Sequence, residues 1–373
     1  MYNIGYGGVH DPHIKELLDD ETIDVIVELI DDADAAYHIV KAALQKGKSV
    51  VSANKKMIAA HFEELHQLQK QYGVALLYEA ACCASIPIIR NLEEYYDNDM
   101  LHSVRGIVNG STNYILTCTG NNLSFADALL KAQQLGFAES DPSLDIEGYD
   151  PANKLSILIA HAFGSIILPQ QIIFSGITAI SERDTVFAKE KDLRIRLVAH
   201  ARKLANGGLA AFVLPSLVPA EDELYNVRDE FNGLVTESCF ADKHFFKGKG
   251  AGAFPTAAAV LSDIAALGYD YKYEYKKIKQ SRPCNLSHDY YLKVSVSTTD
   301  IHPIPKADFE WIEEWHNEYD HSRVIGVIHA RKLAEDLWWK QPGISLILCP
   351  DPLIENIHYR AIRKKSLALA GVV

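Results

Sequence analysis

The sequence predicts an α/β protein: an incomplete doubly wound parallel sheet at the N-terminal end, an α+β region in the middle and a small α+β region at the C-terminal end. Three observations carry this reading. Strand-like and helix-like runs alternate strictly from Asp24 to Ala80. The alternation breaks at residue 81, after which strands and helices come in unequal groups. A further grouping of β-rich runs opens at Tyr290.

Taken in order, Asp24 to Ile30 (DVIVELI) is a β-rich run, and residues 31–47 (DDADAAYHIVKAALQKG) carry apolar residues at helical spacing up to Gly47. SVVSA, from Ser49, is a second strand; Met57 to Tyr72 is a helix stopped by Gly73; VALLYEA, from Val74, is a third strand. This βαβαβ order is half of a doubly wound sheet. Beyond it, IPIIRNLEEYYDN is helical, HSVRGIVNG strand-like and STNYILT the start of a helix. SFADALLKAQQLG is an amphipathic helix with Ser124 and Asp127 as a capping box. A stretch of mixed character to about residue 245 leads to a Gly-rich turn, GKGAGAFPT, and a small-residue helix, TAAAVLSDIAAL. From Tyr290 the pattern reads strand (YYLKVSV), helix (DFEWIEEWH), strand (RVIGVIH), short helix and strand (SLILCP).

The chemistry concentrates in GFAESDPSLDIEGYDPANK, residues 136–154, where Glu139, Asp141, Asp145, Glu147 and Asp150 precede one lysine, Lys154. Pro142, Leu144, Ile146, Gly148 and Tyr149 interrupt the acids, so the loop is shaped against a core instead of being only solvated. Asp150 reads as the N-cap of the next helix with Pro151 at its first position. Asp150 and Lys154 are four apart and therefore neighbours in the first turn.

Composition excludes several classes. The 373 residues carry a formal charge of −12, which disfavours nucleic acid and anionic membrane as partners. Arg360, Arg363, Lys364 and Lys365 read as a solvated helix face. No apolar run approaches the ~20 residues of a membrane span, and no signal-peptide pattern opens the chain. The six cysteines, at 82, 83, 118, 239, 284 and 349, lack metal-ligand spacing and read as reduced thiols of a cytoplasmic protein, the adjacent pair as packing.

Five motifs in order, VVSANKKMIA, YEAACCASIPIIRNL, GIVNGSTNYILT, GFAESDPSLDIEGYDPANKLSIL and GKGAGAFPTAAAVLSDI, make the chain resemble homoserine dehydrogenase over roughly 240 residues. The resemblance implies NAD(P)H-dependent interconversion of aspartate 4-semialdehyde and homoserine, at a branch of threonine and methionine biosynthesis. It implies Asp150, Lys154 and Lys55 as catalytic residues. Glu139 and Asp145 would bind the substrate ammonium and hydroxyl, and Gly110 and Ser111, at a helix start, its carboxylate. Asn54, Lys55, Gly250 and Gly252 would meet the nicotinamide end of the cofactor. Glu79, with the carbonyls of Cys82 and Ala84, would hold a monovalent cation such as Na⁺ or K⁺. The sequence departs from the family pattern at Ser111 for Thr, at Phe137 for Tyr, and at Cys83, Ala84 and Ser85 where glycines are frequent.

The resemblance divides the chain into a partial dinucleotide-binding domain, 1–80, completed by about 250–280; a substrate and dimerisation domain, 81–249; and an α+β region, 286–373, compatible with a ferredoxin-like or ACT-like module. Helices covering one face of the HSVRGIVNG sheet leave the other face for a second copy, hence a homodimer. Only 23 residues precede DVIVELI, and IGYGGVH reads as a linker in place of a GxGxxG phosphate turn. The expectation is a dehydrogenase chain short of its first ~60 to ~80 residues. The alternative is a non-catalytic remnant that keeps the substrate half without tight dinucleotide binding.

Overall fold

The computed structural model describes residues 12–97, 100–279, 284–299, 304–318 and 321–355. The IGYGGVH segment and the cations at 360–365 lie outside the described residues. After helix α1 (Pro12–Asp19), the first layer is a three-stranded parallel sheet of β1 (Val25–Glu28), β2 (Ser49–Ser52) and β3 (Leu76–Leu77), linked by α2 (Ala33–Gln45) and α3 (Lys55–Tyr72). Asp32 caps α2 by accepting from the Asp34 and Ala35 amides, and Ala36, Val40, Ala43 and Leu44 bury its inner stripe. β1 is shorter than DVIVELI because the Glu28 carboxylate turns the chain, accepting from Ser52 Oγ at 2.6 Å and from the Ile30 amide at 2.7 Å.

The central region runs α4 (Ile88–Glu94), β4 (Leu101–Ile107), α5 (Gly110–Gly120), α6 (Phe125–Gln134), α7 (Ser143–Ile146), α8 (Tyr149–Phe163), β5 (Ile173–Phe174) and α9 (Glu182–Glu190). It continues through β6 (Leu193–Lys203), β7 (Leu209–Pro219), β8 (Phe231–Ser238), β9 (Asp242–Lys249), α10 (Ala253–Leu267) and α11 (Lys276–Lys279). Helices α5 and α8 lie on one face of this sheet, where Leu197, Ala199 and Ala201 of β6 share a core with Leu155 and Ile159 of α8. On the opposite face, Val198, Val218 and Val235 pack beneath Leu224 and Val227. α10 returns to the first layer, where Asp263 accepts from the Glu79 amide at 2.9 Å and from Arg90 Nη2 at 2.5 Å.

The start of α8 differs from expectation. Its N-cap is Gly148 at φ +90°, so Asp150 is the second helical residue and not the cap. A Cβ at Gly148 would stand 2.6 Å from the Ser175 carbonyl, and one at Gly176 only 1.8 Å from the Ile146 carbonyl. Two glycines thus let the segment after β5 press against the α7–α8 junction, and the helix begins early enough to turn Asp150 inward.

At the C-terminal end, β10 (Tyr291–Thr298), β11 (Phe309–Glu318), β12 (His321–His329), α12 (Ala330–Glu335) and β13 (Ile344–Ile354) form antiparallel neighbours in the order β11-β12-β10-β13. This is the strand order of a split βαβ module. DFEWIEEWH, expected as a helix, is strand β11: Phe309, Trp311 and Trp315 recur at even spacing and face inward more than their neighbours, a period of two that pairing with β12 rewards. Nor is this sheet separate. β13 pairs in parallel with β7 at Leu348 and Ser216, joining both regions into one ten-stranded sheet. No described helix is long and apolar enough to cross a membrane.

Candidate active site

Three turns converge on Asp150. The first, at the start of α8, sets Lys154 Nζ 2.7 Å from Asp150 Oδ2. The second, between β2 and α3, brings Lys55 Nζ to 3.2 Å from Asp150 Oδ1. The third, between β4 and α5, supplies the Val108 carbonyl, which accepts from Lys154 Nζ at 2.8 Å, and Asn109. The Asn109 amide nitrogen bridges two acids, donating to Asp145 Oδ1 at 2.7 Å and to Asp150 Oδ2 at 2.8 Å. Its Oδ1 caps α5 by accepting from the Thr112 amide.

Burial sets the electrostatics. It pushes the Asp150 carboxyl up, but Lys154 and then Lys55 outweigh it and hold the group well below the usual carboxylate range. Burial pulls the Lys154 ammonium down, and Asp150 more than restores it, leaving it above the ordinary lysine value. Asp145 goes the other way: burial, then the charge of Asp150, raise its carboxyl. The site therefore offers a charged ammonium fixed at its base, a second ammonium on Lys55, whose side chain is 44% exposed, and a carboxylate short of positive charge. Such an arrangement can stabilise a developing oxyanion and bind a cationic group.

The remaining expected residues fall into two sets. Gly110 and Ser111 open α5 beside this cluster; Ser111 Oγ donates to the Phe137 carbonyl at 2.5 Å, and a Cβ at Gly110 would stand 2.7 Å from the Glu230 carbonyl. Asn54 caps α3 and donates to the Ile30 carbonyl, so its side chain ties β1 to α3. Glu139 is exposed, and its side chain makes none of the cluster's contacts. Gly250 packs against the Asn232 side chain and Gly252 precedes α10, while the adjacent Lys249 carbonyl accepts from the amide and hydroxyl of Ser85. That bond ties the Gly-rich turn to the loop headed by Glu79.

Within that loop, the Glu79 carboxylate accepts from the Ile89 and Arg90 amides at 2.8 and 3.0 Å, yet burial still pushes its pKa up to about 8. Cys83 and Ala84 adopt φ of 59° and 39°. Burial raises both thiols, Cys83 to about 11, which marks the pair as packing. Among the described residues no group of three or more His, Cys, Asp and Glu could hold a metal ion. A monovalent cation at Glu79 would therefore rest on one carboxylate and backbone oxygens. Sequence reasoning missed Asn109, although an Asn directly before a helix start after a strand is an N-cap signal.

Comparison with known proteins identifies the family. The family profile "Homoserine dehydrogenase" matches residues 87–265, and "Homoserine dehydrogenase, NAD binding domain" matches residues 10–79. The homoserine dehydrogenase of Corynebacterium glutamicum is 38% identical over 66% of the chain, which spans 57% of that protein. That of Lactococcus lactis is 33% identical over 94% of the chain and 83% of its own length. Among solved structures, a homoserine dehydrogenase from Thiobacillus denitrificans superposes with a TM-score of 0.77 at 28% identity, covering 91% of this chain and 84% of that one. A hyperthermophilic archaeal homoserine dehydrogenase in complex with NADPH superposes with a TM-score of 0.60 at 27% identity, over 73% of this chain and 77% of that one. With adjoining profiles over both the parallel sheet and the Asp150 region, and one relative aligned along nearly the whole chain, this protein belongs to the homoserine dehydrogenase family.

Proposed function

We propose that the chain reduces aspartate 4-semialdehyde to homoserine, and oxidises homoserine in reverse, with NADPH or NADH, serving threonine and methionine biosynthesis in the cytoplasm. The observation that carries this is the ammonium of Lys154, buried and kept charged between Asp150 and the Val108 carbonyl. The carboxyl ends of parallel β1, β2 and β3 point to the edge where Lys55 stands, the usual place for a dinucleotide in such a sheet. Asn54, Lys55, Gly250 and Gly252 would hold the nicotinamide end, and the nicotinamide, when bound, supplies a hydride.

The chain's own residues do the rest. Lys154 donates a hydrogen bond to the aldehyde oxygen and gives up a proton as the alkoxide forms. Lys55, partly exposed and held on the same Asp150, returns a proton from solvent. Asp145, raised by burial and by its acidic neighbour, gains most from the substrate ammonium. Glu139 adds a second carboxylate when substrate draws it in, and the Gly110 and Ser111 amides meet the substrate carboxylate. Na⁺ or K⁺ at Glu79, with the Cys82 and Ala84 carbonyls, would answer the charge that burial leaves uncompensated there.

A homodimer is proposed on the sheet face opposite α5 and α8, where a cavity of about 320 Å³ is lined by Arg105, His200, Glu237 and Leu353. Sedimentation as a monomer at micromolar concentration would remove that part of the reading. For the activity, purified chain is incubated with NADPH and aspartate 4-semialdehyde and the product is identified by amino-acid analysis. Homoserine formed in step with NADPH loss supports the proposal; binding of NADPH with no homoserine rejects it.

A further inference from the structure

A second cavity, of about 250 Å³, lies at the C-terminal end of α5, the end remote from Asn109, between α9, β6 and the turn at Tyr225. Four cations line it: Lys189, Arg194, Arg196 and Arg228. The one acid on its wall, Asp192, already accepts from the Tyr225 hydroxyl at 3.1 Å.

Arg196 is the anomaly. It is 2% exposed, and fully buried arginines are almost always paired with an acid. Here Nη1 reaches only the Thr117 hydroxyl at 3.3 Å and Nη2 the Tyr225 carbonyl at 3.5 Å, while buried Nε has no hydrogen-bond partner. Burial, then the charges of Arg194 and Arg228, pull its guanidinium down to about 10 against a weaker opposing pull from Asp229, which makes no hydrogen bond to it. Arg194 donates to the same Tyr225 carbonyl and lies 3.9 Å over the Tyr225 ring; Lys189 donates to Asn122 Oδ1. None of these bonds is to a carboxylate.

Capping of helix ends does not account for the cluster. In the last turn of α5 the Cys118 and Thr119 carbonyls accept from the Asn121, Asn122 and Leu123 amides, and in that of α9 the Ala188 and Lys189 carbonyls accept from the Lys191 and Asp192 amides. The hydrogen bonds of Lys189, Arg194 and Arg196 go to Asn122 Oδ1, the Tyr225 carbonyl and the Thr117 hydroxyl, and not to a carbonyl of either helix.

We propose that this cavity binds a small phosphate-class oxyanion, free or as a phosphate monoester, with Arg196 as its buried anchor and Arg194, Arg228 and Lys189 around the mouth. The planar forks of the arginines suit phosphate oxygens, and a dianion matches the surplus of cations better than a single carboxylate. The cavity and the Asp150 cluster lie at opposite ends of α5, about 16 Å apart along its eleven residues.

The test uses the full chain and no enzymatic readout, so its outcome is independent of the activity proposed above. Thermal unfolding is followed in inorganic phosphate, in glycerol phosphate, in succinate and in chloride, all at equal ionic strength, for the wild type, Arg196→Met and Arg196→Lys. The expected result is a wild-type Tm roughly 2 to 4 °C higher in either phosphate than in chloride. A response to glycerol phosphate alone identifies a monoester, and a response to both admits the free ion. Arg196→Lys keeps part of the shift. Arg196→Met loses it and, in chloride, is at least as stable as the wild type, since it removes an unpaired buried charge. Equal shifts in wild type and Arg196→Met, a shift in succinate alone, or an Arg196→Met chain markedly less stable in chloride would each overturn the proposal, the last by making Arg196 a structural cation.

Discussion

Asp150 and Lys154 stand 2.7 Å apart in the first turn of α8, with side chains only 4% and 9% exposed, so the central ion pair of the site is also part of the protein's interior. Removing one partner from a buried pair strands the other. Lys154→Met is therefore expected to destabilise the fold by about 3 kcal/mol, and the double change Asp150→Asn with Lys154→Met to recover much of the loss. Denaturant titration of Lys154→Met, Asp150→Asn and the double variant checks this; additive single effects would show the pair to be uncoupled.

Asn109 keeps two carboxylates in one small space. Asn109→Ala removes the donor to both Asp145 and Asp150, and loss of hydrogen bonds to charged groups is expected to lower kcat/KM about 10- to 100-fold. Asn109→Asp, which adds a third acid, should be worse than Ala. An Asp variant more active than the Ala variant would argue against the bridging role.

How far the site could be read from sequence follows from these residues. The i, i+4 relation of Asp150 and Lys154 was legible, and so was the βαβαβ order, because both depend on local periodicity. The inward turn of Asp150 was not, since it depends on Gly148 meeting the Ser175 backbone, a contact between segments 27 residues apart. Asn109 was hidden for the same reason: its second acid, Asp150, lies 41 residues away. β11 read as a helix because its glutamates favour helix while Phe309, Trp311, Ile312 and Trp315 favour strand, and only pairing with β12 decides between the two periods. The joining of β13 to β7 has no sequence signature at all.

Gly176 provides a test of how the α7–α8 junction is held. Gly176→Ala drives a methyl group into the Ile146 carbonyl, 1.8 Å from the ideal Cβ position. The expected outcome is a loss of roughly 1 to 3 kcal/mol of stability. A drop in kcat should accompany it, because Asp145 and Asp150 flank the displaced backbone. A variant with unchanged stability would mean that the junction relaxes freely.

His200 predicts a pH effect. Burial, then Arg105 and Arg202, pull its pKa down to about 3 in the folded chain. The unfolded imidazole takes up a proton near its ordinary value of about 6.5, so stability is lost as pH falls from there towards about 3. His200→Gln should flatten that fall, with a difference on the order of 2 kcal/mol near pH 4.5. Parallel stability curves for variant and wild type between about pH 7 and 4.5 would contradict it.

The most direct measurement is steady-state NADPH oxidation with aspartate 4-semialdehyde by the wild-type chain and by Lys154→Ala, at a temperature where circular dichroism shows both folded. A charged, buried Lys154 acting on the forming alkoxide predicts measurable wild-type turnover and a kcat lowered about 10²- to 10⁴-fold in the variant. A wild-type chain that binds NADPH but does not turn over, or a folded variant within twofold of the wild-type kcat, would contradict it.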